Sequence, residues 1–337
     1  MIARRCLPLI VLLCSLVLAA CGGESEPEDP ITQVPEAGGL QQRIAEARDV
    51  RASDFEPADG RTFEEVAKSY GAVQDAAALA TSVFTTGQNR LAFGMIDDEA
   101  QFVYGPSAVY VAPARKGGRA AGPFVAPADV LVTDPAFRSE QAAAESDPFA
   151  AIYAARVRFA RPGPHRILTV TRVGEQTVAA TGSVQVTSPK ADPIPDVGEP
   201  APRVDTDTLA TAGGVVERID TREPPSDMHQ ASFADVLGEK PVALLFATPQ
   251  LCQSRVCGPV TDVALQVRER YGDQVEFIHQ EVYVDNDPAQ GLRRPLSRFN
   301  LRTEPWLFVV GRDGRITARL EGSFGLQAFE DAVKTAL

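Results

Sequence analysis

Apolar and polar positions divide the chain into stretches of different period. An unbroken apolar run from Leu7 to Leu18 opens it, and from Gly22 to Gly39 glycine, proline and acid dominate, with few large apolar residues. That second stretch holds too little apolar surface to offset the entropy of ordering it. It reads as a flexible tether, assigned to residues 21–59. Around Phe63, Val66 and Ala67 the apolar residues share one helical face, and Thr62 with Glu65 three positions on makes a capping box. A short helix is expected there.

Between Ala77 and Ser188 the pattern becomes that of short strands separated by turns. Seven segments carry it: 79–86, 89–97, 107–114, 128–134, 151–160, 165–173 and 177–188. Alternation is clearest where Tyr153, Val157 and Phe159 interleave with Arg156 and Arg158, one face buried and the other wet. Strands of this number and spacing predict an Ig-like β-sandwich, which with the preceding helix occupies residues 60–188. The polar insert Ser139–Pro148 and the hairpin tip Lys116–Pro123 carry no expected chemistry. Proline is densest over residues 189–206, read as a linker between domains.

From residue 207 to 337 strands and helices alternate. The expected order is strand 213–220, helix 231–238, buried strand 241–247, a loop, helix 260–272, strand 275–284, strand 305–311, strand 315–322 and helix 326–337. A right-handed crossover places the two early strands parallel in one sheet. Asp313-Gly314 between two apolar runs predicts a hairpin. The whole is a multidomain chain, a β-sandwich followed by an α/β domain.

Composition adds the compartment. Arg4 and Arg5, the apolar run and the small residues after it have the layout of a secretory signal, residues 1–20, too short for a stable membrane span. Leu18-Ala19-Ala20-Cys21 resembles the lipobox of bacterial lipoproteins, which implies cleavage before Cys21 and acylation of its thiol and new N-terminus. The partner implied is a lipid bilayer, and the location the extracytoplasmic side of the cell membrane. Loss of the leader removes two arginines and no acid, leaving 31 basic residues against 45 acidic and a formal charge of −14 instead of −12. Such a balance argues against nucleic acid as a partner and against electrostatic docking on anionic lipid.

Five cysteines are present, and Cys6, Cys14 and Cys21 belong to the leader and its end, so Cys252 and Cys257 remain for the folded body. They follow an apolar run, Val242–Phe246, at the start of the expected helix. Four strings carry a resemblance: Val197–Pro202 (VGEPAP), Phe246–Cys252 (FATPQLC), Cys257–Val260 (CGPV) and Thr303–Val310 (TEPWLFVV). Together they resemble the thioredoxin-like superfamily, in particular redoxin domains of bacterial lipoproteins, over about the last 140 residues. The resemblance implies a thioredoxin-like fold, a first cysteine capping a helix, a second about one turn on, and a cis-proline facing the pair. Cys252, Cys257 and Pro305 match those positions. In that reading Cys252 is the attacking sulfur and Cys257 the resolving one, because the thiolate is the nucleophile and a helix start stabilises it. Arg255 is either a further thiolate stabiliser or simply solvated.

The chain departs from the family in its spacing, Cys-x4-Cys in place of Cys-x-x-Cys. Either Cys252 takes the first position across a stretched loop, or Cys257-Gly258-Pro259 matches the family's Cys-Gly-Pro, Val260 replaces the second cysteine, and Cys252 is a partner relocated to the preceding loop. The expected function is thiol-disulfide exchange with exported protein thiols, without a cofactor. Two alternatives remain open. One is a non-enzymatic surface lipoprotein with a structural disulfide. The other is a copper-binding chaperone, since the related copper chaperones hold the metal with two cysteines and a distant histidine, the place His279 would take. Glu281 is expected to be a rim carboxylate or a proton acceptor near the cysteines, and Trp306 a core residue or a neighbour of the cysteine loop. No phosphate loop, His-Glu-x-x-His or Gly-x-Ser-x-Gly string is present.

Overall fold

The structure, a computed structural model, describes residues 29–74, 76–143 and 149–337. The leader, Cys21 and part of the 139–148 insert lie outside the described residues. None of the described helices is long and apolar enough to cross a membrane.

The N-terminal half contributes helices α1 (Leu40–Arg48), α2 (Phe63–Lys68) and α3 (Glu140–Ala143). Its strands are β1 (Ala78–Leu79), β2 (Phe84–Thr85), β3 (Gly87–Gly94), β4 (Ser107–Pro113), β5 (Ala121–Val125), β6 (Ala128–Val130), β7 (Ala151–Phe159), β8 (Gly163–Val173) and β9 (Gln176–Thr187). They form one sheet of order β1-β3-β7-β6 and another of order β2-β9-β8-β4-β5. Leu91, Phe93, Tyr153 and Val157 of the first meet Val109, Val111, Ile167 and Val186 of the second in a shared core. These nine strands, one pair of them parallel (β2 with β9), take the place of the seven expected.

Two local readings gain detail. Thr62 and Glu65 cap α2 reciprocally, as the capping box predicts, with the Thr62 amide donating to Glu65 Oε2 at 2.7 Å. Helix α2 covers the outer face of the second sheet, where Phe63 and Val66 pack on Tyr110 and Leu168. Strands β4 and β8 are therefore buried on both faces and lose the alternation that β7 keeps at Arg156 and Arg158. Helix α1 falls inside the stretch expected to be tether. Its Ile44 and Ala47, three positions apart, make a stripe just wide enough to bury against the double-sheet core.

The C-terminal half contributes α4 (Phe233–Val236), β10 (Val242–Phe246), α5 (Cys257–Tyr271), β11 (Glu276–Gln280), α6 (Arg294–Arg298), β12 (Trp306–Val310), β13 (Ile316–Glu321) and α7 (Leu326–Lys334). The sheet order is β11-β10-β12-β13, with β10 parallel to β11 and antiparallel to β12. That order, with α5 crossing between β10 and β11, is a thioredoxin-like fold. The run Val242–Phe246 is continuously apolar because both faces are covered. Val242, Leu244 and Phe246 meet α4 and α6, while Ala243 and Leu245 meet α5 and α7.

Segment 213–220 is not the strand its apolar residues suggested. Gly213 and Gly214 take φ of 67° and 83°, and a 3-10 turn follows at Val216–Arg218. The parallel pair is instead β10 with β11. Residues 189–206 run along the C-terminal half, where Ile194, Ala201 and Val204 join its core and Asp192 pairs with Arg319 at 2.8 Å.

The two halves meet across a tight seam. Ala92, Leu131 and Ile152 of the first enter the core built around α5 and α7. Asp129, beside β7, accepts from the backbone amides of Gly325, Gln327 and Ala328 at 2.8–3.2 Å and so caps α7. Glu321 at the end of β13 accepts from Ser82 N and Oγ and from Val83 N. On α5, Asp262 accepts from Ser139 N and Oγ and from Arg222 Nε, each at 2.8–2.9 Å. A Cβ on Gly322, whose φ is 71°, would lie 1.7 Å from Ala80 O, so only glycine allows this approach.

Candidate functional site

The cysteines lie between β10 and α5. After Phe246 the chain turns through Thr248 and Pro249, and the Cys252 amide closes the turn on Thr248 O at 3.1 Å. Cys252 O then accepts from Arg255 N at 3.1 Å, in a turn that holds Arg255 at φ 57°, a left-handed conformation uncommon for a residue with a Cβ. Val256 is the N-cap and Cys257 the first residue of α5. Of the two alignments left open by the sequence, this is the second, with Cys257-Gly258-Pro259 opening α5 and Cys252 in the preceding loop, and not the first, with Cys252 at the helix start. The four intervening residues form a loop of their own, so the helix begins at the second cysteine and the first sits outside its N-terminus.

That placement divides the acidity of the two thiols. Cys252 is 7% exposed. Its pKa comes down from 9.0 to about 6, because the Cys257 thiol donates to it, Ser254 Oγ lies 3.2 Å away, and the Val256 and Cys257 amides point at it from the helix start. Burial works in the opposite direction. Cys257 is fully buried, and its pKa is pushed well above 9.0 by burial and by the hydrogen bond it gives to Cys252. Arg255 is not among the groups that lower Cys252. The two thiols are not joined in this structure.

Two cavities flank the loop. Cys252 itself lines one of about 440 Å³ with Glu223, Gln250 and Pro259. On the other side of Ser254–Val256 lies one of about 740 Å³, bounded by Leu79, Phe102 and Phe149 of the double-sheet half and by Thr303 and Glu304. Arg255 borders both. Pro305 follows Glu304 through a cis peptide bond, is buried, and precedes β12.

Glu304 is a carboxylate at the cysteine site that the sequence reading missed. It accepts no hydrogen bond among the described residues, and burial, the Cys252 charge and Glu281 raise its pKa from 4.5 to about 7. Its only sequence signal is an acid wedged before the proline and apolar strand of Thr303–Val310. Glu281, by contrast, is neither rim nor free. It is fully buried, with Oε2 accepting from Thr221 N and Oγ1 and Oε1 from Val282 N. Trp306 is core, stacked on Phe308 at 5.9 Å, with Nε1 donating to Thr303 Oγ1.

His279 does not join the cysteines as the copper reading requires. Its Nε2 lies 3.1 Å from Ala247 O, and its donor atoms gather with those of Asp220 and His229 in a group that contains neither cysteine.

No protein-family model matches the chain, and no curated protein does. Solved structures similar to it include a thioredoxin-family thiol:disulfide interchange protein from Chlorobium tepidum TLS, 19% identical over 41% of this chain and 94% of that one, with a TM-score of 0.27. A putative thiol:disulfide interchange protein DsbE from Chlorobium tepidum is 14% identical over 42% of this chain and 95% of that one, with a TM-score of 0.30.

Proposed function

We propose that the chain is a thiol-disulfide oxidoreductase in which Cys252 attacks and Cys257 resolves. The observation that supports this is the split between adjacent thiols: Cys252 is a thiolate at neutral pH, its pKa held at about 6, while burial keeps Cys257 protonated. The Cys252 thiolate attacks one sulfur of a substrate disulfide, forming a mixed disulfide and releasing the other sulfur as a thiolate. Glu304 accepts the Cys257 proton, and the Cys257 thiolate then attacks Cys252 Sγ. The second substrate thiolate leaves and a Cys252–Cys257 disulfide remains, two electrons having passed to the substrate. An external dithiol returns them in the next cycle.

The substrates are thiols or disulfides of exported proteins, and the chain is held at the extracytoplasmic face of the membrane by acylated Cys21. The double-sheet half, read as Ig-like, walls one side of the site. The potential of the pair against glutathione buffers tests the exchange. A value above about −300 mV with turnover of a disulfide substrate is expected. A lower value without turnover makes the bridge structural and overturns the proposal. Incorporation of a fatty-acid analogue that disappears in Cys21→Ser tests the anchor, and retention of the label in that variant removes it.

A further inference from the structure

Segment 207–232 is almost devoid of regular structure, yet it covers the free edge of β11. His279 N donates to Met228 O at 3.0 Å, and Leu209 N to His229 O at 2.9 Å. Inside this covered edge lie Asp220, His229 and His279, all fully or nearly fully buried. One donor atom from each falls within 4.8 Å of the other two.

The polar groups around Asp220 and His279 are arranged as an ion's surroundings would be, whereas His229 faces Asp220 through Nε2 and its Nδ1 is buried without a hydrogen-bond partner. Asp220 Oδ2 lies 2.9 Å from His229 Nε2 and 3.4 Å from His279 Nδ1. A tetrahedral ion with bonds of about 2.0–2.1 Å keeps its ligand atoms roughly 3.3 Å apart. The 3.4 Å separation matches that spacing, and the 2.9 Å one, a hydrogen bond in this structure, must open slightly to admit an ion. His279 Nε2 faces Ala247 O and carries its proton there, which leaves Nδ1, buried and without a hydrogen-bond partner, presenting a lone pair. A ligating histidine is commonly fixed in just this way, by its other nitrogen on a carbonyl. The carboxylate is likewise oriented from outside, Oδ2 by Ser226 N and Oγ at 2.7 and 2.8 Å and Oδ1 by Arg222 N at 2.8 Å.

Charge points the same way. Glu281 is buried close enough to act on both imidazoles, and the nearby guanidinium of Arg222 is already paired with Asp262 at 2.8 Å. Two buried carboxylates thus share one neighbourhood, and a single divalent cation balances them. Two imidazoles and a carboxylate without thiolate suit a borderline ion of the zinc class better than monovalent copper.

We infer that Asp220, His229 and His279 form a zinc-class cation site that fastens segment 207–232 to the edge of β11. The site is distinct from the cysteine pair but adjoins its support. Ala247 begins the cysteine loop, and Thr221 Oγ1, next to Asp220, accepts from Gln250 N at 3.2 Å within that loop. Its role is structural, loaded as the chain folds around it.

The test uses the full chain without an affinity tag. Grown in zinc-supplemented medium, wild type and the Cys252→Ser/Cys257→Ser double variant are expected to carry about one zinc ion per chain, and a folded His229→Gln variant to carry almost none. Unfolded in chelator and refolded with cobalt, the double variant is expected to show tetrahedral Co²⁺ absorption and a melting temperature several degrees above the chelated protein. Zinc that follows the cysteines, or that persists in folded His229→Gln, overturns the assignment. So does refolding of the double variant with no cobalt spectrum and no change in melting temperature, a result that stands even if His229→Gln does not fold.

Discussion

The seam between the halves and the cavities around the cysteine loop are both rich in buried polar groups, and they treat them in opposite ways. Three carboxylates at the seam are saturated: Asp129 by three backbone amides, Glu321 by Ser82 and Val83, Asp262 by Ser139 and Arg222. Beside the cysteines Glu304 has no hydrogen-bond partner among the described residues, and Cys252, just outside the start of α5, has its pKa lowered to about 6. A saturated buried group contributes rigidity and resists proton transfer, whereas an unsaturated one is unstable as it stands and available to react. The contrast predicts that substitutions at the seam act on stability and substitutions at the cavities act on chemistry.

The largest effect expected is in Cys252→Ser, which abolishes disulfide exchange while leaving the denaturation midpoint close to wild type. Alkylation supplies the companion reading: in wild type its rate rises with pH through a midpoint of about 6, as the Cys252 thiolate forms. Next comes Arg222→Ala, which leaves Asp262 buried without its cation and is expected to cost about 3–5 kcal/mol in urea titration. Should the folded fraction of that variant lose its low alkylation midpoint as well, seam and cavities are not separate. Asp129→Ala removes the cap of α7 and is expected to cost about 1–2 kcal/mol, with exchange rates unchanged.

The smallest effect has the opposite sign. Glu304 has a folded pKa of about 7 against 4.5, so its contribution to stability is fully present below 4.5 and lost as pH rises through 7. Glu304→Gln therefore stabilises the protein at pH 8, by about 1 kcal/mol once solvent screening of a half-buried group is allowed for, and changes little at pH 4.5. The same variant is expected to slow resolution of the mixed disulfide. Destabilisation at pH 8 would place Glu304 with the saturated carboxylates of the seam and erase the contrast.

Legibility in the sequence followed the same division. The apolar runs of β10 and β12, the Asp313-Gly314 hairpin, α5, α7 and the Thr62 capping box were readable because local period and local turn chemistry determine them. Segment 213–220 misled because Val215, Val216 and Ile219 imitate a strand while Gly213 and Gly214 bend the backbone away from one. Helix α1 was missed because its buried stripe is little more than Ile44 and Ala47 on an otherwise polar helix. At the site, the cysteines announced themselves by type, but the difference between Glu281 and Glu304 did not. Which of two acids finds donors depends on Thr221, sixty positions before Glu281, and no local pattern encodes that pairing.

The cap on α7 bears on how the chain can be built and divided. The acceptor for the Gly325 amide is Asp129, 196 residues earlier, so the ribosome delivers the carboxylate long before the helix that needs it. The first half must hold Asp129 in place and wait. A gene fragment beginning at the proline-rich stretch would encode every strand of the thioredoxin-like sheet and still leave its last helix open at the N-terminus. The C-terminal half is therefore a poor module to transplant, and a homologue that keeps this fold without the double sheet must supply another acceptor at the start of its final helix.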